Sequence, residues 1–261
     1  MTSGKAARRQ RQAAVARPPV RSTGGRKASP WVIGGALAAL AVIVAVVAIV
    51  IAVSGGGSGS STTTGTALPD AATIQKQFAG IPQQGNVLGK ATAPATLVEY
   101  IDLQCPVCRD FETNVMPTLL RKYVRTGKLK VIARPVTVIG PDSERGRRAM
   151  IAAFAQNRGF NFSQLLYFNQ GPENGGWLDD SMVADAAASI PGVNVKQLQD
   201  AANSKAVARQ TTRFNQQAQA DQLSGTPTIL VGKSGARLTN LGAGVPSIGT
   251  LSGLIDKAQQ S

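Results

Sequence analysis

The sequence predicts an α/β domain with an inserted helical block, preceded by a single membrane-spanning helix near the N-terminus. Two observations predict the α/β class. A strand-like segment is followed by apolar residues at helical spacing and by a second strand-like segment, and two short strands and a helix close the chain. Between these halves, residues 143–220 show helical spacing without strand signals, which indicates the insertion.

The N-terminal region combines a basic segment with an apolar one. Residues 1–30 carry eight basic and no acidic side chains, and residues 31–53 carry no charge. As a helix with a rise of about 1.5 Å per residue, the apolar segment spans about 34 Å, enough for a hydrocarbon core of about 30 Å. Because basic residues stay on the cytoplasmic side, we expect a cytoplasmic tail, a single crossing of the cytoplasmic membrane and an extracytoplasmic domain. A cleaved signal peptide is the alternative, although its apolar core usually has only about 7 to 15 residues.

Composition limits the chemistry of the remaining chain. Residues 54–69 are rich in Gly, Ser and Thr and predict a flexible linker, so the globular domain is expected over residues 70–261. The net charge is +14, but more than half of the excess precedes the apolar segment, which disfavours a nucleic-acid partner. The 261 residues include no His and two Cys, so His-dependent nucleophiles and a closed structural zinc site are excluded. We expect neither a metal nor a cofactor.

The order of elements in the domain follows from local patterns. Residues 95–102 predict a buried strand, and apolar positions after Cys108 predict a helix that Pro117 kinks and Gly127 ends. The next strand is expected over residues 128–136, parallel to the first. The remaining predictions are helices at 143–157, 162–168 and 181–190, one or two helices over 195–220, strands at 228–232 and 236–241, and a helix at 247–258.

The two cysteines form the sequence CPVC at the junction of a strand and a helix. Unpaired N–H groups at a helix start stabilise an anion, so a lowered thiol pKa is expected at Cys105, while Cys108, one turn further, should be more buried. Pro106 suits the first turn, where its missing N–H is unimportant. A structural staple, half of a zinc site and an inert buried pair are the alternatives. A purely structural disulfide is the weaker interpretation, because closing so short a loop removes only about 2 kcal/mol of chain entropy from the unfolded state.

Three segments, LVEYIDLQCPVC, the helical block and GTPTILVG, together make residues 82–259 resemble the DsbA-like thiol-disulfide oxidoreductases of the thioredoxin superfamily. The resemblance implies a thioredoxin-like fold. It also implies that Cys105 is the attacking thiolate and Cys108 the resolving thiol. Pro227 matches the proline that follows a cis peptide bond beside the disulfide, and backbone groups of Thr226 would then pair with an extended substrate.

One residue departs from the family pattern. The best-known members have His before the second cysteine, whereas this chain has Val107. No imidazolium group can stabilise the thiolate here, so the disulfide is expected to be less oxidising than in those members.

Glu99, six residues before Cys105, matches the buried acid of the family. Strand alternation places it on one face, with Tyr100 and Asp102 on the other. Burial would raise its pKa, and the predicted role is exchange of a proton with Cys108. A solvated or ion-paired strand residue is the alternative.

Other charged residues near these elements are expected to have structural roles only. Asp102 is expected at the surface or as a capping residue. The basic cluster of the first insertion helix is expected to form a solvated face: Arg145, Arg147 and Arg148.

The expected function is disulfide formation in exported proteins that contain cysteine thiols. The resemblance implies reoxidation by a quinone-linked membrane oxidase of the DsbB or VKOR type. A reductase or isomerase that works from the dithiol is the first alternative, because the direction of electron flow depends on potentials that a sequence does not give. A thioredoxin-like binding module without catalysis is the second.

Overall fold

A six-stranded sheet organises the part of the chain that the computed structural model describes, residues 67–260. Its spatial order is β1-β2-β4-β3-β5-β6, and only β3 and β4 are parallel neighbours. The strands are β1 Gln83–Gln84, β2 Val87–Leu88, β3 Ala95–Ile101, β4 Leu129–Pro135, β5 Thr228–Lys233 and β6 Thr239–Ala243. The parallel central pair is therefore confirmed.

Eight helices complete the described residues. Helix α2 has four consecutive segments, Pro106–Asp110, Phe111–Val115, Met116–Leu119 and Leu120–Val124, of which the second and fourth are π-helical. The others are α1 Ala71–Phe78, α3 Pro141–Ala155, α4 Gly159–Phe168, α5 Asp180–Ala188, α6 Val195–Ala202, α7 Lys205–Ala220 and α8 Ile248–Gln260. Helices α3 to α7 lie between β4 and β5 along the chain and form the expected insertion.

Strand β3 is buried on both faces along its whole length. Leu97 and Ile101 enter the main hydrophobic core, whereas Val98 and Tyr100 join a smaller cluster on the opposite face. This is the period-two alternation that the sequence predicted. Polar side chains on this strand are consequently removed from water, whichever face they occupy.

Helix α2 accommodates Pro117 through a π turn. The N–H of Met116 bonds to the carbonyl of Phe111, five residues back. Continuing that pattern would pair the carbonyl of Glu112 with residue 117, but proline has no N–H. Instead, Nε2 of Gln164 in α4 donates to the Glu112 carbonyl oxygen at 2.6 Å. The predicted irregularity at Pro117 is thus present, and a side chain of another helix supplies the missing hydrogen-bond donor.

Several elements differ from the sequence predictions. Helix α1 and the short hairpin β1-β2 were not predicted. Each strand of the hairpin has two residues and is too short to show periodicity. The spacing of Ala71, Ile74 and Phe78 on the buried side of α1 was a usable signal. Strand β6 starts three residues later than predicted, because the turn at Gly235, with φ of 81°, precedes it.

The basic cluster of α3 does not form a solvated face, so that prediction was wrong. Arg147 is 6% exposed, is paired with Glu144 and donates to Oδ1 of Asn215 in α7 at 2.8 Å. Nε of Arg148 donates to the carbonyl of Ala202, and Arg145 donates to that of Leu178. These guanidinium groups hold the insertion helices together, because their donors reach carbonyl and amide oxygens of neighbouring segments.

The start of the described chain is docked on the domain. Leu68 N–H donates to Oγ of Ser189, and Nδ2 of Asn169 donates to the carbonyl of Pro69. Leu68 and Pro69 lie within the predicted linker, residues 54–69, so the last part of that segment packs against the domain. The predicted tail, membrane helix and remaining linker lie outside the described residues. Within residues 67–260, no helix has the length and apolarity needed to cross a bilayer.

Candidate active site

Cys105 and Cys108 lie where β3 leads into α2. Cys105 is the N-cap residue of α2, and its Sγ accepts a hydrogen bond from the backbone N–H of Cys108 at 3.4 Å. Pro106 occupies the first turn of the helix, as predicted. Both cysteines are free thiols in this structure. Each of them affects the pKa of the other.

The surroundings of Cys105 favour its thiolate. Its pKa is lowered to about 6, chiefly because the Cys108 thiol donates a hydrogen bond to it. Burial acts in the opposite direction, while the Thr226 side chain and the backbone N–H groups of Cys108 and Val107 lower the pKa further. The thiolate is thus favoured without a histidine, and the neighbouring thiol contributes more than the helix amides on which the sequence argument relied.

Titration of the reduced protein should show this directly. We expect the ultraviolet absorbance of the thiolate to rise with a midpoint near pH 6. In Cys108→Ala the midpoint should move upward, because the largest stabilising contact is removed. A midpoint at the free-thiol value of about 8.5 in the unsubstituted protein would contradict an activated Cys105.

Cys108 has the opposite character. It is 0% exposed, against 4% for Cys105. Burial raises its pKa well above the ordinary thiol value, and the adjacent Cys105 sulfur raises it further. At neutral pH the second thiol is consequently protonated, so any step in which its sulfur leaves or attacks requires a proton transfer.

The turn before β5 faces the cysteines. The Thr226–Pro227 peptide bond is cis, and Sγ of Cys105 donates to the carbonyl oxygen of Thr226 at 3.3 Å. Thr226 is half-buried and Pro227 is buried. Val107 is 40% exposed and presents an apolar side chain beside the sulfur pair. The sequence-predicted residues Cys105, Cys108, Val107, Thr226 and Pro227 therefore meet at one end of the sheet.

Glu99 is buried beneath this turn and is paired with a second acid. Its side chain is 1% exposed, and Glu112 of α2, which is 4% exposed, is near enough to affect its pKa. Burial raises the pKa of Glu99 to about 7. It also raises the pKa of Glu112 well above its ordinary value, and the nearby charge of Glu99 adds to this. Glu99 is therefore not solvated, and it forms no ion pair with a residue of the described range 67–260.

Sequence reasoning missed Glu112, although a signal existed. It follows Cys108 by four residues on a helix, a spacing that places two side chains on the same face. A single Glu on a helix is ordinarily assigned to solvent, and only the packing of α2 on β3 buries it. The spacing therefore indicated the helix face of Glu112, whereas its place near Glu99 depends on how α2 packs against β3.

Asp102 is buried rather than at the surface, so that part of the prediction was wrong. Its Oδ1 accepts the backbone N–H of Gln104 at 2.9 Å, and Oδ2 accepts those of Val138 and Ile139 at 2.7 and 2.9 Å. The hydroxyl of Tyr167, fully buried in α4, donates to the Asp102 carbonyl. Asp102 does not cap a helix either, because Cys105 is the N-cap residue of α2 and Gly140 that of α3. Its carboxyl group instead ties the loop after β4 to the CPVC turn.

Comparison with known proteins gives a family and several relatives. Residues 83–241 match a family model described as thioredoxin. The chain is 30% identical over 159 residues to a probable disulfide bond formation protein D of Bacillus cereus, which covers 60% of this chain and 73% of the relative. The disulfide bond formation protein D of Bacillus subtilis is 26% identical over 164 residues, covering 62% and 72%.

Solved structures show the same architecture. Oxidised BdbD from Bacillus subtilis superposes with a TM-score of 0.59 at 21% identity, covering 69% of this chain and 98% of that structure. DsbA from Chlamydia trachomatis gives a TM-score of 0.57 at 20% identity, covering 67% and 91%. The expected thioredoxin-like fold with a helical insertion is therefore confirmed.

Proposed function

Since the chain belongs to the thioredoxin family and is a DsbA-like thiol-disulfide oxidoreductase, we propose that it forms disulfides in exported proteins through Cys105 and Cys108. The observation that carries this proposal is the asymmetry of the two thiols. Cys105 is activated and touches the Thr226–Pro227 turn, whereas Cys108 is fully enclosed. The first sulfur, on the more exposed of the two cysteines at 4% against 0%, is the one that meets the client, and the second re-forms the enzyme disulfide.

The oxidative cycle uses these two sulfurs in sequence. A client thiolate attacks Sγ of Cys105 in the enzyme disulfide, so that a client–Cys105 disulfide forms and Cys108 leaves. A second client thiolate then attacks the client sulfur of that bond, releasing the client disulfide and the Cys105 thiolate. Two electrons pass to the enzyme. Because a stabilised thiolate is a good leaving group and stabilises the reduced enzyme, the lowered Cys105 pKa favours this direction.

Two further groups assist in the proposed cycle. The Thr226 backbone beside Pro227 pairs with an extended client segment, in the manner of strand addition. Glu99 exchanges a proton with Cys108, whose raised pKa makes an unprotonated sulfur costly. The burial of Glu99 and its pKa of about 7 support this role, because a group that titrates near neutral pH both gives and takes a proton.

The cellular setting belongs to the same proposal. Residues 31–53 anchor the chain in the cytoplasmic membrane, with residues 1–30 inside and the catalytic domain outside. A quinone-linked membrane oxidase of the DsbB or VKOR type reoxidises the dithiol. The short linker supports this pairing, since tethering raises the effective concentration of one membrane partner at another.

Reduction or isomerisation from the dithiol form is the competing direction. Both would use the same two sulfurs, and the difference lies in the redox state maintained in the cell. Thiol trapping in intact cells with a membrane-impermeant maleimide decides between them and tests the location. We expect the full chain to resist labelling until a reductant is added to the intact cells, and then to be labelled. A steady-state dithiol would favour the reductase, and labelling only after lysis would contradict an extracytoplasmic site.

A further inference from the structure

We propose that Gln170, in the loop after α4, is a positioning residue for Cys105: its amide holds the backbone of the turn before α2 and thereby keeps Sγ of Cys105 at the N–H of Cys108. This rests on the proposed disulfide chemistry of Cys105, and it gives the helical insertion a part in that chemistry. Gln170 carries no charge and lies 65 residues from Cys105 along the chain, so no local pattern in the sequence pointed to it.

The connection between β3 and α2 is a single tight turn at residues 102–105. The N–H of Cys105 donates to the carbonyl oxygen of Asp102 at 3.0 Å, which places Leu103 in the middle of the turn. In such a turn the central carbonyl groups take no part in the bond that closes it. Leu103 is 1% exposed, and a buried carbonyl that is left without a donor is costly. This turn therefore needs a donor from another segment.

Gln170 supplies that donor and extends it to the cysteine. Its Nε2 donates to the carbonyl oxygen of Leu103 at 2.9 Å and to that of Cys105 at 3.2 Å. A primary amide has two N–H groups, so one nitrogen serves both acceptors. The Cys105 carbonyl also accepts the N–H of Arg109 at 3.1 Å, in the first turn of α2. Gln170 thus joins the middle of the turn to the N-cap residue of the helix.

A second amide connects the same two segments in the opposite direction. Oε1 of Gln104, a residue that is 0% exposed, accepts the N–H of Asn174 in the loop after α4 at 2.8 Å. Its Nε2 donates to Oγ of Ser143 in α3 at 3.0 Å. Gln104 therefore anchors the residue before the cysteine to the insertion, whereas Gln170 reaches the backbone of Cys105 itself.

The place of the Cys105 sulfur depends on this backbone. Sγ accepts the N–H of Cys108 at 3.4 Å and lies 3.3 Å from the carbonyl oxygen of Thr226. Contacts of this length weaken with small displacements, and reactive groups need supporting hydrogen bonds that hold them to within about 0.5 Å. The Cys108 N–H is one of the groups that lower the pKa of Cys105. A less restrained Cys105 backbone would consequently stabilise the thiolate less.

Asn169 offers a matched control one residue earlier. It is half-buried like Gln170, and its Nδ2 also donates to two carbonyl oxygens, those of Pro69 at 3.1 Å and Leu165 at 2.9 Å. Neither acceptor belongs to the turn at residues 102–105. Removing this amide therefore deletes the same number and kind of bonds at the same helix end without releasing Cys105.

The test compares the reduced full-length protein with Gln170→Met, Gln170→Asn and Asn169→Leu. Met keeps the length of the side chain and loses both donors, while Asn keeps the amide but is one carbon shorter. Thiolate absorbance against pH gives the midpoint of Cys105, and equilibration with reduced and oxidised glutathione gives the redox equilibrium. Urea denaturation of each variant measures the effect on the fold.

We expect Gln170→Met to raise the Cys105 midpoint by at least about half a pH unit. At pH 8 this corresponds to a shift of about threefold in the glutathione equilibrium toward the enzyme disulfide, because the reduced form has lost stabilisation. Gln170→Asn should lie between Gln170→Met and the unsubstituted protein. Asn169→Leu should leave the midpoint and the equilibrium unchanged, although its urea midpoint should fall as that of Gln170→Met does.

These substitutions change no charge, so a shifted midpoint reports the position of the sulfur. Every titratable group on the elements around the cysteine is retained in all variants: Glu99, Asp102, Cys108, Arg109, Asp110, Glu112, Tyr167 and Glu173.

A lower urea midpoint in Gln170→Met with an unchanged thiolate midpoint and glutathione equilibrium would show that Gln170 supports the fold alone, and would overturn the proposal. An equal shift in Asn169→Leu would overturn it as well. If Gln170→Met does not fold, Gln170→Asn is judged by the same criteria. Failure of the proposed function looks different, because it appears in the unsubstituted protein, as an ordinary thiol titration of Cys105 or a steady-state dithiol in cells.

Discussion

Replacing Cys105 by alanine should reduce thiol oxidation to the uncatalysed rate, whereas replacing Cys108 should trap the enzyme on its clients. Cys105 and Cys108 are the only cysteines of the chain, so Cys105→Ala leaves a single enclosed thiol with a raised pKa. Such a thiol is neither accessible nor ionised. In Cys108→Ala the Cys105 thiolate still reacts with disulfides, but nothing within the enzyme resolves the product.

Oxidative refolding of a reduced test protein measures the first effect, and non-reducing gels of cells that carry each variant measure the second. We expect covalent client adducts for Cys108→Ala and none for Cys105→Ala. If Cys105→Ala kept a substantial part of the activity, or if adducts formed through Cys108, the assigned order of the two sulfurs would be wrong.

Removal of the Asp102 carboxyl group should have the largest effect on stability. Its two oxygens accept three backbone N–H groups in a fully buried position, from Gln104 before the active-site turn and from Val138 and Ile139 after β4. Asp102→Ala leaves these donors without partners. The bond from Gln104 is buried and the other two are partly buried. Because an unsatisfied buried group costs about 1–3 kcal/mol, we expect a loss of about 2 kcal/mol in the free energy of unfolding.

Urea denaturation of the reduced protein measures this loss. Asp102→Asn keeps one carbonyl oxygen and should fall between the unsubstituted protein and Asp102→Ala. The control Asp110→Ala removes an exposed carboxyl group eight residues further along the chain and should change stability by no more than about 0.5 kcal/mol. Equal losses in Asp102→Ala and Asp110→Ala would show that the three hydrogen bonds are not important for stability.

Local patterns in the sequence were sufficient wherever a feature depends on neighbouring residues. The alternation along β3 predicted which face each side chain occupies, and CPVC between a strand and a helix predicted where Cys105 and Cys108 lie. The insertion was predicted within two residues at its start, because helical spacing and the absence of strand signals are both local properties.

Features that depend on contacts between distant segments were not predicted correctly from the sequence. Asp102 was expected at the surface or as a capping residue, but the loop at residues 137–139 returns over it and supplies two N–H groups. Arg147 was expected in solvent on a helix with several charges, yet α7 packs against that side and provides Asn215. Neither outcome has a signature in the residues adjacent to the one affected.

The active-site turn depends both on local sequence patterns and on contacts between distant segments. Sequence alone determined that one helix start presents a cysteine, a proline and a second cysteine, because capping, helix dipoles and side-chain spacing act within a single turn. Only the tertiary structure decided that Glu99 lies near Glu112 and that no Lys or Arg of residues 67–260 forms an ion pair with either, since this depends on how α2 is rotated against the sheet. Burial, which no single segment specifies, is what raises the pKa of both glutamates.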